Sequence, residues 1–247
     1  MVYLALPPES IKDAPKQSFG HAYMTYRISN TGRLLRANTT AEYKGGLMYI
    51  DDNGAITGSG FLPGEIVREC MAHGFSGVVL DLSPGFPQDA ALSISAVCVK
   101  HKLSVYVPPH FAHCPNSIVM LSTGISVGSL NGKLTSGIRQ YGPDRVAVML
   151  DYVRRDYTLP AKEENVQELT DSQLNALITK YRSPSFFSKE LCTYYFTYRT
   201  ANKAHLVLYD NAVSMKRKSA LSESLGIKHT FMFYPHVKDI LDRIFAK

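Results

Sequence analysis

The stretch Gly74-Phe75-Ser76-Gly77-Val78-Val79-Leu80-Asp81-Leu82-Ser83-Pro84 decides the fold. Val78, Val79, Leu80 and Leu82 form a near-continuous apolar run, as a parallel strand covered on both faces requires. Pro84 stops the strand, and Asp81 is the lone carboxylate near its end. In parallel α/β proteins the carboxyl ends of strands hold ligands and chemistry. Asp81 is therefore the first candidate catalytic residue.

Working outward, residues 61–73 read as a helix with Ile66, Val67, Cys70 and Met71 on one face and Gly74 as its stop. Residues 88–101 read as the next helix, and 103–107 as a strand closed by Pro108-Pro109. A strand over 117–121 precedes a helix with Leu130, Leu134, Ile138 and Tyr141 on one side. Residues 145–150 form a strand that runs into Asp151-Tyr152. Upstream, 2–6, 21–28 and 46–50 are strands, the last entering an Asp51-Asp52-Asn53-Gly54 turn, and 33–44 reads as a weak helix.

Downstream, 154–168 reads as a polar linker, and Thr170-Asp171 caps a helix carrying Leu174, Leu177, Ile178 and Tyr181. Residues 188–202 read as another helix, with a Thr/Tyr content that leaves a strand open. Strands over 205–209 and 230–234 alternate with a helix through Met215 and Leu225 and a final amphipathic helix over 237–245. Strand–helix alternation means a parallel sheet. Nine candidate strands in 247 residues, without a glycine-rich turn after the first, favour a closed (βα)8 TIM barrel. The expectation is an α/β barrel in one domain over 1–247, with either 2–6 or 205–209 outside it.

Hydrophobic residues make up 45% of the chain and charged ones 19%, a balance that supports a full core and excludes disorder. The net charge of +6 is scattered. Its densest run, Lys216-Arg217-Lys218, reads as a solvated helix face, so no nucleic-acid partner is expected. Cys70, Cys98, Cys114 and Cys192 lie far apart and read as reduced packing thiols, and His110 and His113 as loop residues; no metal site and no cofactor is expected. No apolar run reaches the roughly 18 residues of a membrane span. Residues 1–8 lack the features of a signal peptide, so a soluble chain, cytoplasmic or part of a larger assembly, is expected. The sequence assigns no oligomeric state.

A barrel places the residues after its strands at one mouth. Those positions are Asp51, Asp52, Asp81, Ser83, His110, Ser122, Thr123, Asp151, Tyr152, Tyr209, Asp210, Tyr234 and His236. Aromatic faces beside carboxylate acceptors suit a sugar, whose C–H face stacks while its hydroxyls donate. The competing reading is that such residues only cap helices and make turns.

The segment 74–83 resembles the D-G-x-D-x-D-x-E strand of glycoside hydrolase family 18, the chitinase-like barrels. Residues 103–109, Ile118-Val119-Met120, the segment 143–152, and Tyr209-Asp210-Asn211 with Ser214, Lys218, Gly226 and Phe231-Met232-Phe233-Tyr234 resemble later family strands in the same order. The resemblance implies that 2–6 opens the barrel and 205–209 is the extra strand. It also exposes departures: Ser76, Val79 and Ser83 replace two aspartates and the family's general acid, and only Asp81 remains. Ser122-Thr123 stands for a Tyr-Asp pair, and Tyr234 for a tryptophan. A serine hydroxyl titrates far above any useful range for an acid, and losing general acid catalysis removes about 10²–10⁴-fold in rate. The resemblance thus implies a carbohydrate-binding or scaffold barrel for N-acetylated cell-wall glycans, lined by Asp51, Asp81, Ser83, Asp151, Tyr152, Tyr209, Asp210 and Tyr234. The alternative is an active glycosidase that takes its acid from Asp51, Asp151 or Asp210.

Overall fold

The computed structural model describes residues 1–52, 54–58, 60–160 and 165–246. In chain order the elements are β1 (Val2–Leu6), β2 (Gly20–Ile28), β3 (Leu34–Arg36), β4 (Leu47–Asp52), α1 (Leu62–His73), β5 (Gly77–Asp81), α2 (Gln88–Lys100), β6 (Ser104–Val107), β7 (Ile118–Ser122), α3 (Leu130–Tyr141) and β8 (Val146–Met149). There follow β9 (Arg154–Thr158), β10 (Val166–Glu168), α4 (Asp171–Tyr181), β11 (Phe186–Ser188), β12 (Thr193–Arg199), β13 (Ala204–Tyr209), α5 (Ala212–Ser224), β14 (His229–Phe233), α6 (Tyr234–Val237) and α7 (Leu241–Phe245).

Eight strands close a parallel barrel in the order β1, β2, β4, β5, β6, β7, β8, β14, and β14 returns to pair with β1. β3 adds an antiparallel edge to β2. The apolar run over 78–82 is continuous because both faces of β5 are covered. Val79 points into the barrel with Leu47, Tyr49, Tyr106 and Phe231, while Val78 and Leu80 face the surrounding helices. Gly74 ends α1 in the left-handed region, φ 66°, and its N–H reaches the carbonyls of Cys70 and Met71. At Gly77 a Cβ would stand 2.4 Å from the Ser104 carbonyl, so only glycine lets β5 and β6 approach there.

Between β8 and α5 the chain builds a second, antiparallel sheet in the order β10-β9-β13-β12-β11. The strand at 2–6 opens the barrel and 204–209 lies in this extra sheet. Three sequence readings are corrected here. Residues 154–168 are no linker: β9 buries Asp156 and Tyr157, and the charged alternation hid a strand whose inward aspartate is satisfied by Tyr198 and His205. Residues 193–199 form β12 rather than a helix, because alternate aromatics pack on α4, Tyr198 stacking on Tyr181 at 4.2 Å. Residues 33–44 hold β3, and the Leu34 N–H together with the Nε of Arg33, just before the strand, donates to Glu65. The final helix is split into α6 and α7, and Asn53 of the expected turn lies outside the described residues.

Candidate functional site

The carboxyl ends of the barrel strands surround a cavity of about 670 Å3. Its floor is the inward row of the barrel, with Ala5, Met24, Tyr49 and Met120 below and Asp81 above. Tyr49 is buried, and its hydroxyl donates to Asp81 Oδ2 at 2.9 Å. Burial, and then the neighbouring Asp81 carboxylate, push the Tyr49 hydroxyl well above its ordinary value, so it remains a donor.

Across the cavity stands Asp151, just beyond β8. Its Oδ2 accepts from Ser122 Oγ at 2.8 Å and from the Gly124 N–H at 3.0 Å. Thr123 Oγ1 accepts the Asp151 N–H at 2.9 Å, which fixes the turn. For both Asp81 and Asp151, Oδ1 takes no protein hydrogen bond among the described residues. Each carboxylate thus keeps acceptor capacity for a ligand. Lys133, reaching in from α3, donates to the Ser122 carbonyl at 2.7 Å. Burial holds its ammonium below the ordinary lysine range, partly offset by the field of Asp151.

The rings are Tyr152, Phe233 and His236. His236 meets Phe233 edge-on at 4.8 Å, and Arg154 lies 5.1 Å over the Tyr152 ring while pairing with Asp171. Burial, then the charge of Arg154, holds the His236 imidazole below its ordinary value. The inserted sheet supplies the outer wall through Arg154, Arg155 and Glu168.

The cavity brings together Asp81, Asp151 and Tyr152 from the sequence-derived set, with Ser122 and His236. The others stand elsewhere. Asp51 sits at the rim, held by Arg27 Nε at 2.7 Å, its register neighbour on β2. Ser83 is turned to Asp52, whose carboxylate accepts both its N–H and its hydroxyl. Tyr209 is stacked on Tyr194 and edge-on to Phe196, on the face of the inserted sheet that packs on α4. Asp210 is fully enclosed by the Val153 N–H, Thr193, Ser214 and Lys218, with Lys218 Nζ at 2.6 Å. Tyr234 begins α6 and donates to the Asp13 carbonyl at 2.9 Å. None of these five lines the cavity.

Sequence reading missed Tyr49, Lys133, Arg155 and Glu168. Only Tyr49 left a signal, since it shares the inward parity of Leu47 and lies three residues before the strand end at Asp52. Among the described residues no group of histidine, cysteine and carboxylate side chains could hold a metal ion, and no helix is long and apolar enough to cross a membrane.

Solved structures share this architecture. A chitinase from Chromobacterium violaceum superposes over 100% of this chain and 99% of its own, with TM-score 0.72 and 13% identity. The Bacillus cereus spore cortex-lytic enzyme SleL matches 99% of this chain and 74% of its own, at TM-score 0.68 and 16% identity. The chain has the chitinase-type barrel fold. A GH18 chitinase mutant from Cycas revoluta in complex with (GlcNAc)4 matches 98% of this chain and 97% of its own, at TM-score 0.64 and 13% identity. No protein-family model and no curated sequence matches the chain.

Proposed function

We propose that this chitinase-type barrel binds a glycan in its mouth, of the N-acetylated cell-wall class, without the family's acid-catalysed hydrolysis. One observation carries the reading: Asp81 and Asp151 present uncommitted oxygens to a single ring-lined cavity, whereas Ser83, at the acid position of the resemblance, is bonded to Asp52 beside it. A cavity of this size fits the range of small-ligand sites. The fold likeness to a chitinase solved with (GlcNAc)4 supports the same ligand class. The residues proposed to touch sugar are Asp81, Asp151 and Tyr152, with Tyr49 holding Asp81 in place.

Calorimetry with N-acetylglucosamine oligomers and peptidoglycan fragments tests the reading. Binding that Asp81→Ala weakens about tenfold, the loss of one hydrogen bond to a charged group, is the expected result. Absence of binding by both ligand types overturns it.

A working glycosidase is the second reading, and the cavity favours Asp151 as its acid, because Asp51 and Asp210 do not line it. Turnover of a fluorogenic glycoside that vanishes in Asp151→Asn would establish that reading instead.

A further inference from the structure

Among the described residues, Lys133, Arg154 and Arg155 are the lysine and arginine side chains that line the central cavity. Both arginines are already paired, Arg154 with Asp171 at 2.6 Å and Arg155 with Glu168 at 2.5 Å. Lys133, near the start of α3, makes no ion pair among the described residues. Its Nζ gives one hydrogen bond, to the Ser122 carbonyl at 2.7 Å. An ammonium carries three donors and no acceptor, so two donors remain. Asp151 is near enough for its charge to act on Lys133, yet its Oδ2 is taken up by Ser122 Oγ and the Gly124 N–H.

Two accounts of Lys133 make different predictions. In the first it only fastens the turn after β7, while its charge offsets that of Asp151. That turn is held without it. The Gly124 N–H reaches Ser122 Oγ at 3.1 Å and Asp151 Oδ2 at 3.0 Å, and the Asp151 N–H reaches Thr123 Oγ1 at 2.9 Å. In the second, the ammonium receives an anion from the ligand. Burial disfavours its charge, and an anionic oxygen beside it would replace the lost hydration. Such a charged hydrogen bond is about twice as strong as a neutral one. Asp81 and Asp151 would repel a ligand that is anionic throughout. The anion must therefore be a single group on a molecule otherwise rich in hydroxyl and amide donors.

We infer that Lys133 selects an acidic sugar, an N-acetylated saccharide whose free carboxylate meets the Lys133 ammonium while its hydroxyl and amide groups donate to Asp81 and Asp151. The inference rests on the glycan reading above. The carboxylate belongs either to a lactyl ether, as in peptidoglycan strands, or to a uronic acid ring, and the contact with Lys133 is the same for both.

Calorimetry on the intact chain tests it with the neutral N-acetylglucosamine tetramer and two acids of the same length. One is a peptidoglycan tetrasaccharide with free lactyl carboxylates, and the other alternates N-acetylglucosamine with a uronate; each is also measured as its amide. At least one acid binds about tenfold or more tighter than its own amide, and which one does so identifies the source. Lys133→Met abolishes that ratio and Lys133→Arg retains it. A merely structural lysine would change acid and amide alike and leave the ratio in place. Lys133→Gln, which keeps a donor for the Ser122 carbonyl, gives the same answer should a melting curve show that the methionine variant folds poorly. Equal affinity of acid and amide, a ratio that survives these variants, or binding of the neutral tetramer alone overturns the role of Lys133 and leaves the glycan reading standing. Failure of every one of these ligands to bind overturns both.

Discussion

Asp81 ends a barrel strand and Asp210 follows a strand of the inserted sheet, and their surroundings differ in kind. Asp210 is fully enclosed and takes four donors, among them the buried Lys218 ammonium, which also reaches the Asp151 carbonyl at 3.1 Å. Asp81 takes one donor, Tyr49, and faces the cavity. A strand-end aspartate with every lone pair committed fastens the fold, and one with lone pairs to spare can receive a ligand. Asp210 fastens the return of the inserted sheet onto the segment that carries Asp151. Residue type is the same in both and strand position differs by one residue; the partners decide the role.

The comparison breaks most visibly at Lys218. Lys218→Met strands the Asp210 charge in the interior, and the expected loss is about 3–5 kcal/mol in urea unfolding. A loss below about 1 kcal/mol would mean that the pair is not enclosed as described. Asp81→Ala should do the reverse, leaving stability within about 1 kcal/mol while weakening oligosaccharide binding about tenfold. Tyr49→Phe sharpens the contrast. It removes only the hydroxyl that orients Asp81, at an expected cost of about 1 kcal/mol in binding or stability, readable by calorimetry beside a melting curve. The rim pair is the mildest case: Arg27→Ala frees Asp51 from a solvent-exposed contact, and about 0.2–1 kcal/mol is expected in denaturation. A larger effect there would mean that the pair is more enclosed than its exposure indicates.

The barrel was legible because each of its strands carries apolar residues on both faces and is bounded by glycine or proline. The inserted sheet was not. β9 reads Arg-Arg-Asp-Tyr-Thr, and its inward Asp156 is tolerable only because Tyr198 Oη donates to it at 2.6 Å and His205 stands at 3.1 Å, partners about 40 and 50 residues away. β12 reads Thr-Tyr-Tyr-Phe-Thr-Tyr-Arg, and its helix–strand ambiguity is resolved only by α4 packing on one face. Of the candidate site, Asp81, Asp151 and Tyr152 could be named from their positions after strands. Lys133, Arg155 and Glu168 reach the cavity from a helix and from the inserted sheet, where no strand-end rule applies.

By itself the sequence determined the alternation of elements and pointed to closure into a barrel, since local periodicity and strand count suffice for these. Only the tertiary structure decided which carboxylates share a cavity and which are locked in the fold. That choice depends on hydrogen-bond partners brought from distant parts of the chain, and no local pattern encodes their distances.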